Sequence, residues 1–408
     1  MTFKVKTKGQ IEGEDLLAPK LRFKEFNNNW NLVVLKSLMD FKNGINAPKD
    51  AYGKGIKYIS VTDILNNNFI TYEKIKGLVD IDSTTLKNNS VTYGDVVFQR
   101  SSETIEDIGK SNVYLDANKM ATFGGFVIRG KKKGTYDPLF INYLLQNNSS
   151  RKSIIVKGAG AQHYNISQEE LEKIKVYFTT MAEQEKIGYF FSLLDKKIEL
   201  QKQKIEALKI YKKGLMQKLI NSNNCEEKSV SEFGTIITGA TPSKLIDSYW
   251  NNGTIVWITP SDITESKDIY NSHDMLTQDG LKAGRFVPAG SILITCIASI
   301  GKNAILKIDG SCNQQINAII PNKNFNADYL YYLFEMKKDY LQSTAGTSAT
   351  SIINKSSFEK LVFKVPNLEE QNKISKILNC LELKIENEKL KFEKLTFLKK
   401  SLLQQMFI

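Results

Sequence analysis

Four cysteines and two histidines are scattered through the 408 residues. Cys225, Cys296, Cys312 and Cys380 form no CxxC pair, and His163 and His273 stand alone. A structural zinc site needs clustered Cys or His, so this spacing disfavours one. Scattered thiols in a long chain point to a reducing compartment rather than a disulfide framework. No run approaches the roughly 20 apolar residues of a membrane span, and MTFKVKTKGQIEGEDLLAPK has no apolar signal core. These absences predict a cytoplasmic protein with a loose segment over residues 1–18.

Catalytic patterns are equally sparse. GFVIRGK (Gly125 to Lys131) has phosphate-loop spacing, but Lys132 stands where Ser or Thr should hold magnesium. DIGKSN has Thr104 in place of the first glycine. PSDITESK (Pro260 to Lys267) carries an acidic-x-Lys element, a weak nuclease signal in a chain this rich in Lys and Glu. Neither histidine has a Ser, Asp or Cys partner at a recognisable spacing. No glycine-rich strand-to-helix turn suits S-adenosylmethionine or a dinucleotide, and no Asn/Asp-Pro-Pro-aromatic signature occurs. The composition is that of a recognition protein, with no catalytic residue, cofactor or metal expected in this chain.

What the chain does have is positive charge and repetition. The net charge is +12 and the pI about 9.2, spread along the sequence, which favours an acidic partner such as nucleic acid. EQEKIGYFFSLLDKKIELQKQKIEALKIYKKGLMQKL begins at Glu183, and EQNKISKILNCLELKIENEKLKFEKLTFLKKSLLQQM begins 187 positions later at Glu370. The echo extends further. GIKYISVTDI (Gly55 to Ile64) matches TIVWITPSDI (Thr254 to Ile263), and YDPLFINYLL (Tyr136 to Leu145) matches FNADYLYYLF (Phe325 to Phe334). The chain is two copies of one unit, a globular region followed by a long helix. β-branched and aromatic runs read as strands, and compact apolar runs at helical spacing read as helices, giving two α+β domains.

Both long helices open on a capping-box pattern, Thr180-x-x-Glu183 and Asn367-x-x-Glu370. Phe191, Leu194, Ile198, Ile205, Leu208, Leu215 and Leu219 then recur at spacings of three and four. The second copy gives Leu378, Leu381, Ile385, Phe392, Leu395, Leu402 and Met406. These are coiled-coil seams of about four heptads. Each seam is broken at the same two places, Gln201/Glu388 and Lys212/Lys399. The simplest cover for one seam is the other, and an antiparallel pair places Glu388 or Lys399 where it can meet Lys212 or Gln201. A dimerisation coiled coil between two chains would leave the internal repeat unexplained.

Two unlike globular halves, each followed by a helix beginning EQ.KI, resemble the specificity subunit of Type I restriction–modification systems. The resemblance covers nearly the whole chain and includes PKLRFKEFNNNW, GATPSK, the IGK loops and NQQINAIIP. It implies a target recognition domain over 19–180, a conserved coiled-coil helix over 181–221, a second recognition domain over 222–367 and a second helix over 368–408. It implies a non-catalytic reader of double-stranded DNA, each domain taking half of a bipartite, asymmetric site. It further implies docking of two modification (methyltransferase) subunits and, through them, two restriction–translocation subunits. S-adenosylmethionine, ATP and Mg would belong to those partners. Half-sites read from one face lie about one DNA turn, near 34 Å, apart. A helix pair extending roughly 55 to 60 Å, at 1.5 Å per residue, can straddle that. A coiled-coil scaffold with two protein-binding domains and no DNA role is the alternative.

Loops on a rigid scaffold are the usual carriers of base and phosphate contacts. Three segments qualify in each domain. The first follows VVFQ: Arg100, Ser101, Ser102 and Lys110, against Thr295, Ser299 and Lys302. Arg100 suits a guanine, or else an ion pair with Glu103 or Glu106. The second precedes the long helix: Lys157, Gln162, His163 and Tyr164, against Thr347, Ser348 and Thr350. The third is an early turn: Lys54 and Lys57, against Thr241, Ser243 and Lys244. Tyr58 and Trp257 sit in strand patterns and should be buried.

Overall fold

The computed structural model describes residues 3–5, 17–158, 160, 163–221, 225–345 and 352–408. It divides into two compact units, Met1–Lys202 with Leu390–Ile408, and Gln203–Lys389. Both divisions fall inside a long helix, so each unit holds one globular domain and a portion of each helix.

In the first unit an antiparallel sheet runs Met39–Asn43, Val127–Lys132, Val96–Gln99, Ser111–Val113. Val96–Gln99 is buried along its whole length, which is why VVF reads as a continuous apolar run rather than an alternating one. The second unit repeats the order with Gly234–Thr238, Ile316–Pro321, Ile292–Thr295 and Asn303–Leu306. Asp268–Ile269 extends that sheet by a parallel strand. Each unit also carries a three-stranded sheet centred on Tyr52–Ile59 or Ile255–Ile258.

The helices Pro138–Gln146 and Ala327–Met336 lie buried against these sheets. Asp137 and Asn326 cap them, each side chain accepting from the backbone N–H three residues on. The backbone N–H of each capping residue is in turn bound by a glutamine of the repeated EQ pair. Gln184 accepts from Asp137 at 3.1 Å and Gln371 accepts from Asn326 at 2.9 Å. Both glutamines are buried. The EQ motif therefore ties the start of a long helix to the start of the domain helix in both copies.

The glutamic acids of that motif behave differently. Glu183 is fully buried and receives Nε and Nη2 of Arg22, each at 2.7 Å. This corrects the expected capping box at Thr180: the carboxylate turns to a buried guanidinium, which satisfies two oxygens at once. Glu370 is half-exposed and faces Lys373, while Asn367 caps its helix by accepting from the Glu370 N–H at 3.0 Å.

The long helices span Met181–Ile220 and Leu368–Gln405. Every seam position named above is buried or half-buried. In the first unit the start of one helix lies beside the end of the other. Phe191 packs on Phe407, with ring centroids 5.9 Å apart, and Asp195 pairs with Lys399 at 2.5 Å. In the second unit Lys204 pairs with Glu388 at 3.0 Å and Lys212 with Glu382. Partner numbers fall as helix numbers rise, so the segments run antiparallel within each unit.

The two seam lysines take partners other than those expected. Lys399 meets Asp195 rather than Gln201, Lys212 meets Glu382 rather than Glu388, and Glu388 meets Lys204. The reason is reach. A long lysine stem lets a seam ammonium meet an acid beside the apolar stripe, where the opposite helix offers one. Each of the two seam lysines also lies over a domain tyrosine, Lys399 over Tyr143 and Lys212 over Tyr332, both at 5.4 Å. Tyr143 donates to Asp195 at 2.6 Å, and burial pushes the phenol's pKa up.

Each domain core is completed by a helix end. Met406 and Phe407 join the first core, where Phe407 packs on Trp30 and Phe140. Ile220 joins the second core beside Phe233 and Phe363.

Candidate nucleic-acid interface

In the first domain two of the three candidate segments lie side by side. Ser101–Ser102 pairs antiparallel with Tyr164–Asn165, with Ser102 opposite Tyr164 and Ser101 opposite Asn165. The Ser101 hydroxyl bonds Asn165 Oδ1 at 2.5 Å. Arg100 accepts at its carbonyl from the Ile166 N–H and donates its own N–H to Phe126. Its guanidinium donates to the Gly125 carbonyl at 3.3 Å, a weak tether, rather than pairing with Glu103 or Glu106. Ser102 is buried and His163 exposed. Lys110 pairs with Asp107 at 2.5 Å and Lys157 with Glu170 at 3.1 Å. Gln162 lies outside the described residues.

Lys54 and Lys57 sit in the strand Tyr52–Ile59, not in a turn. Lys54 is exposed beside Asp80, and Lys57 donates to the Ile75 carbonyl at 2.6 Å. Tyr58 is half-buried, and burial raises its pKa to about 12. The turn that does approach Arg100 carries Asn46: a Cβ placed on Gly125 would fall against the Asn46 side chain. Asn46, Asn165 and the 68%-exposed Phe126 therefore belong to this surface, and sequence reasoning missed them.

The second domain follows the same backbone plan with different side chains. Cys296 stands in the place of Arg100, donating its N–H to Gln315 and accepting from the Ile353 N–H. Thr295 is fully buried, and its hydroxyl donates to the Ser299 carbonyl and accepts from the Lys302 N–H. That burial corrects its placement as a contact residue: it holds the loop closed from below. Ser299 is half-buried, and Lys302 reaches the Pro260 carbonyl at 3.5 Å. Thr241 bonds Gln314, a residue of the NQQINAIIP segment that sequence reasoning missed. Thr347, Ser348 and Thr350 lie outside the described residues.

The early turn is the most elaborate part of the second domain. Lys244 lies 4.0 Å from the Trp250 ring centre and 5.2 Å from that of Trp257, and pairs with Asp274 at 2.6 Å. The hydrogen bond from Lys244, then that from His273, holds the Asp274 carboxyl below its ordinary range. Trp250 donates to the Ser243 carbonyl and the buried Trp257 to that of Ala240, each at 3.0 Å. The turn thus pinned holds out Leu245, 94% exposed. An ammonium, hydroxyls and an apolar tip suit phosphates and base edges, including a thymine methyl.

Among the described residues no group of three or more His, Cys, Asp and Glu is placed to hold a metal ion. Among the same residues, no helix is long and apolar enough to cross a membrane.

The family profile described as Type I restriction modification DNA specificity domain matches residues 27–209 and again 223–396. The Type I restriction enzyme MjaIX specificity subunit of Methanocaldococcus jannaschii is 35% identical over 187 residues, 44% of this chain and 43% of that protein. The EcoR124I/EcoR124II specificity subunit of Escherichia coli is 31% identical over 162 residues, 38% of this chain and 40% of that protein. The chain thus spans less than half the length of these two curated relatives. Among solved structures, the Type I restriction–modification S subunit from M. genitalium superposes with a TM-score of 0.58 at 17% identity, covering 96% of this chain and 99% of that one. A chain solved in work on complex assembly of the type I R-M system gives 0.61 at 13% identity, covering 92% and 96%. The structural likenesses carry the fold, and the profile, met once in each half, carries the family. The chain belongs to the Type I restriction–modification DNA specificity family, with one specificity domain in each of its two halves.

Proposed function

We propose that this chain is the DNA-reading, non-catalytic subunit of a Type I restriction–modification enzyme. Each domain reads one half of a bipartite, asymmetric site. The helices set the spacing between halves and dock two modification subunits, which in turn carry two restriction–translocation subunits. Methyl transfer, typically to adenine N6, and ATP-driven cleavage fall to those partners with S-adenosylmethionine, ATP and Mg. The cytoplasm is the expected compartment.

One observation carries this reading above the others. The two domains share a backbone plan down to the hydrogen bonds that frame each loop, yet carry different side chains at matching places, the half-buried Arg100 in one and the buried Cys296 in the other. A duplicated frame with unlike contacts is what reading two different half-sites requires. A scaffold for proteins has no need of +12 net charge.

Methylome sequencing of cells carrying this chain with its modification subunits tests it. The expected result is methylated adenine in a gapped motif of two unlike halves. An ungapped motif, or one with identical halves, would remove the reading. Lengthening both helices by four residues should widen the gap, and an unchanged gap would remove the spacing role. DNA binding by the assembled enzyme should weaken steeply with salt.

A further inference from the structure

Each unit has a cavity at the same place in its domain, behind the loop that follows the central strand. In the first unit it measures about 400 Å³ and is lined by Ile64, Leu65, Lys110, Ser111, Gln146 and Arg151, among others. In the second it measures about 640 Å³, and Ile263, Thr264, Lys302, Asn303 and Glu335 occupy the corresponding positions. The correspondence follows from the loop frame. Gln99 accepts from Gly109 and donates to Lys110, as Thr295 accepts from Gly301 and donates to Lys302. Gly109 and Gly301 both hold left-handed backbone there, φ +62° and +85°.

Both cavities are cationic. The first is lined by Lys110 and Arg151 and by no carboxylate, although Asp107 outside the lining holds Lys110. The second is rimmed by Lys209, Lys213, Lys302, Lys338 and Lys389, against Glu265, Glu335 and Glu382. Glu382 is engaged by the seam lysine Lys212, and burial raises the Glu335 pKa.

Both also hold buried polar atoms with no hydrogen-bond partner among the described residues, and at matching positions. Ser111 is 8% exposed and its Oγ has none. Asn303 is 3% exposed; its amide donates to Glu335 at 2.7 Å and its Oδ1 has none. Arg151 gives Nη2 to the carbonyls of Glu106 and Ile108, pinning the first loop, while its Nη1 has none. A buried donor left unpaired is costly, so Ser111 Oγ and Arg151 Nη1 side by side in the first cavity point to a bound acceptor. Hydroxyl and guanidinium N–H groups in a cationic cleft fit an acceptor-rich anion. In the second cavity the Asn303 amide is spent on Glu335, so the attraction there comes from the lysine ammoniums.

We propose that the two domains carry matching phosphate sites, each gripping a DNA backbone phosphate beside the loop that reads bases. This rests on the DNA-reading role proposed above. Such contacts add affinity without sequence information, so they serve both halves although the halves read different bases.

The test uses the chain assembled with its modification subunits. Affinity for cognate and scrambled duplexes is measured against salt for wild type, Lys213→Met/Lys338→Met and Glu335→Gln. Losing one phosphate contact should shallow the slope of log affinity against log salt by about one. The double variant should lose affinity by the same factor on both duplexes, and Glu335→Gln should bind both more tightly. A slope unchanged in the double variant overturns the proposal, as does weaker binding by Glu335→Gln, which needs no loss of fold to be read. Inorganic phosphate is titrated in parallel, read by thermal shift. If it stabilises wild type while the DNA slope is insensitive to the lysines, the pockets hold free phosphate and the backbone assignment fails. If wild type itself shows no salt-dependent DNA binding, the DNA-reading role fails first, an outcome distinct from the others.

Discussion

The two domains are built on one frame and elaborated in opposite places. In the first, the loop behind the central strand is long, from Gln99 to Gly109, and the early turn is short, from Gly44 to Ala51. In the second, the same loop runs only from Thr295 to Gly301, while the early turn stretches from Gly239 to Thr254. The first domain puts an arginine and two serines on its long loop. The second puts Lys244 and Leu245 on its long turn and closes its short loop with the buried Thr295 hydroxyl. The framing hydrogen bonds are the same in both, so the difference teaches that contacts can change where the backbone frame cannot.

Exchanging the second domain tests this most severely. Replacing residues 222–367 with the matching segment of a relative should change one half of the methylated motif and leave the other; methylome sequencing reads it, and a change in both halves breaks the independence. Next in size is Arg22→Ala. It strands a fully buried Glu183 carboxylate, so the first unit should lose about 3–5 kcal/mol. Hydrogen exchange should then rise at Val96–Gln99 and not at Ile292–Thr295, because Glu370 is half-exposed and has no such dependence.

The seam pairs give a smaller and graded contrast. Asp195 is 4% exposed at its side chain and Glu382 20%. Lys399→Met should therefore cost more than Lys212→Met, the first about 3 kcal/mol. Urea unfolding followed separately in the two units reads the order, and equal losses would show that burial does not separate them. Smallest is Ala298→Gly in the short loop. Ala298 sits at φ +63°, where a Cβ is disfavoured, so glycine should stabilise by about 1 kcal/mol. A loss instead would mean that the loop needs the methyl group more than relief of the backbone.

The helices were the most legible part of the sequence, because the three–four spacing of Phe191 through Leu219 and of Leu378 through Met406 depends only on helix geometry. The unlike domains were legible as repeats, but their partners were not. Nothing along the chain reveals that Glu183 finds Arg22, that Lys399 reaches Asp195, or that Ser101 lies across from Asn165, since each pairing is set by tertiary packing. Among the interface candidates, residue type alone misjudged Thr295. Threonine on a loop reads as a polar contact, yet its hydroxyl serves the backbone beneath. Gln314 and Asn46 stand in segments whose residue types alone point to no contact.

The seating of Phe407 in the first core has a consequence for how the protein is made. Trp30 and Phe140 leave the ribosome long before Phe407, whereas Ile220 precedes the second domain it completes. Synthesis therefore begins with the domain that closes last. A half-finished molecule exposes an apolar socket at Trp30 and Phe140 throughout translation of the second half, and chaperone demand should fall there rather than on the domain made later.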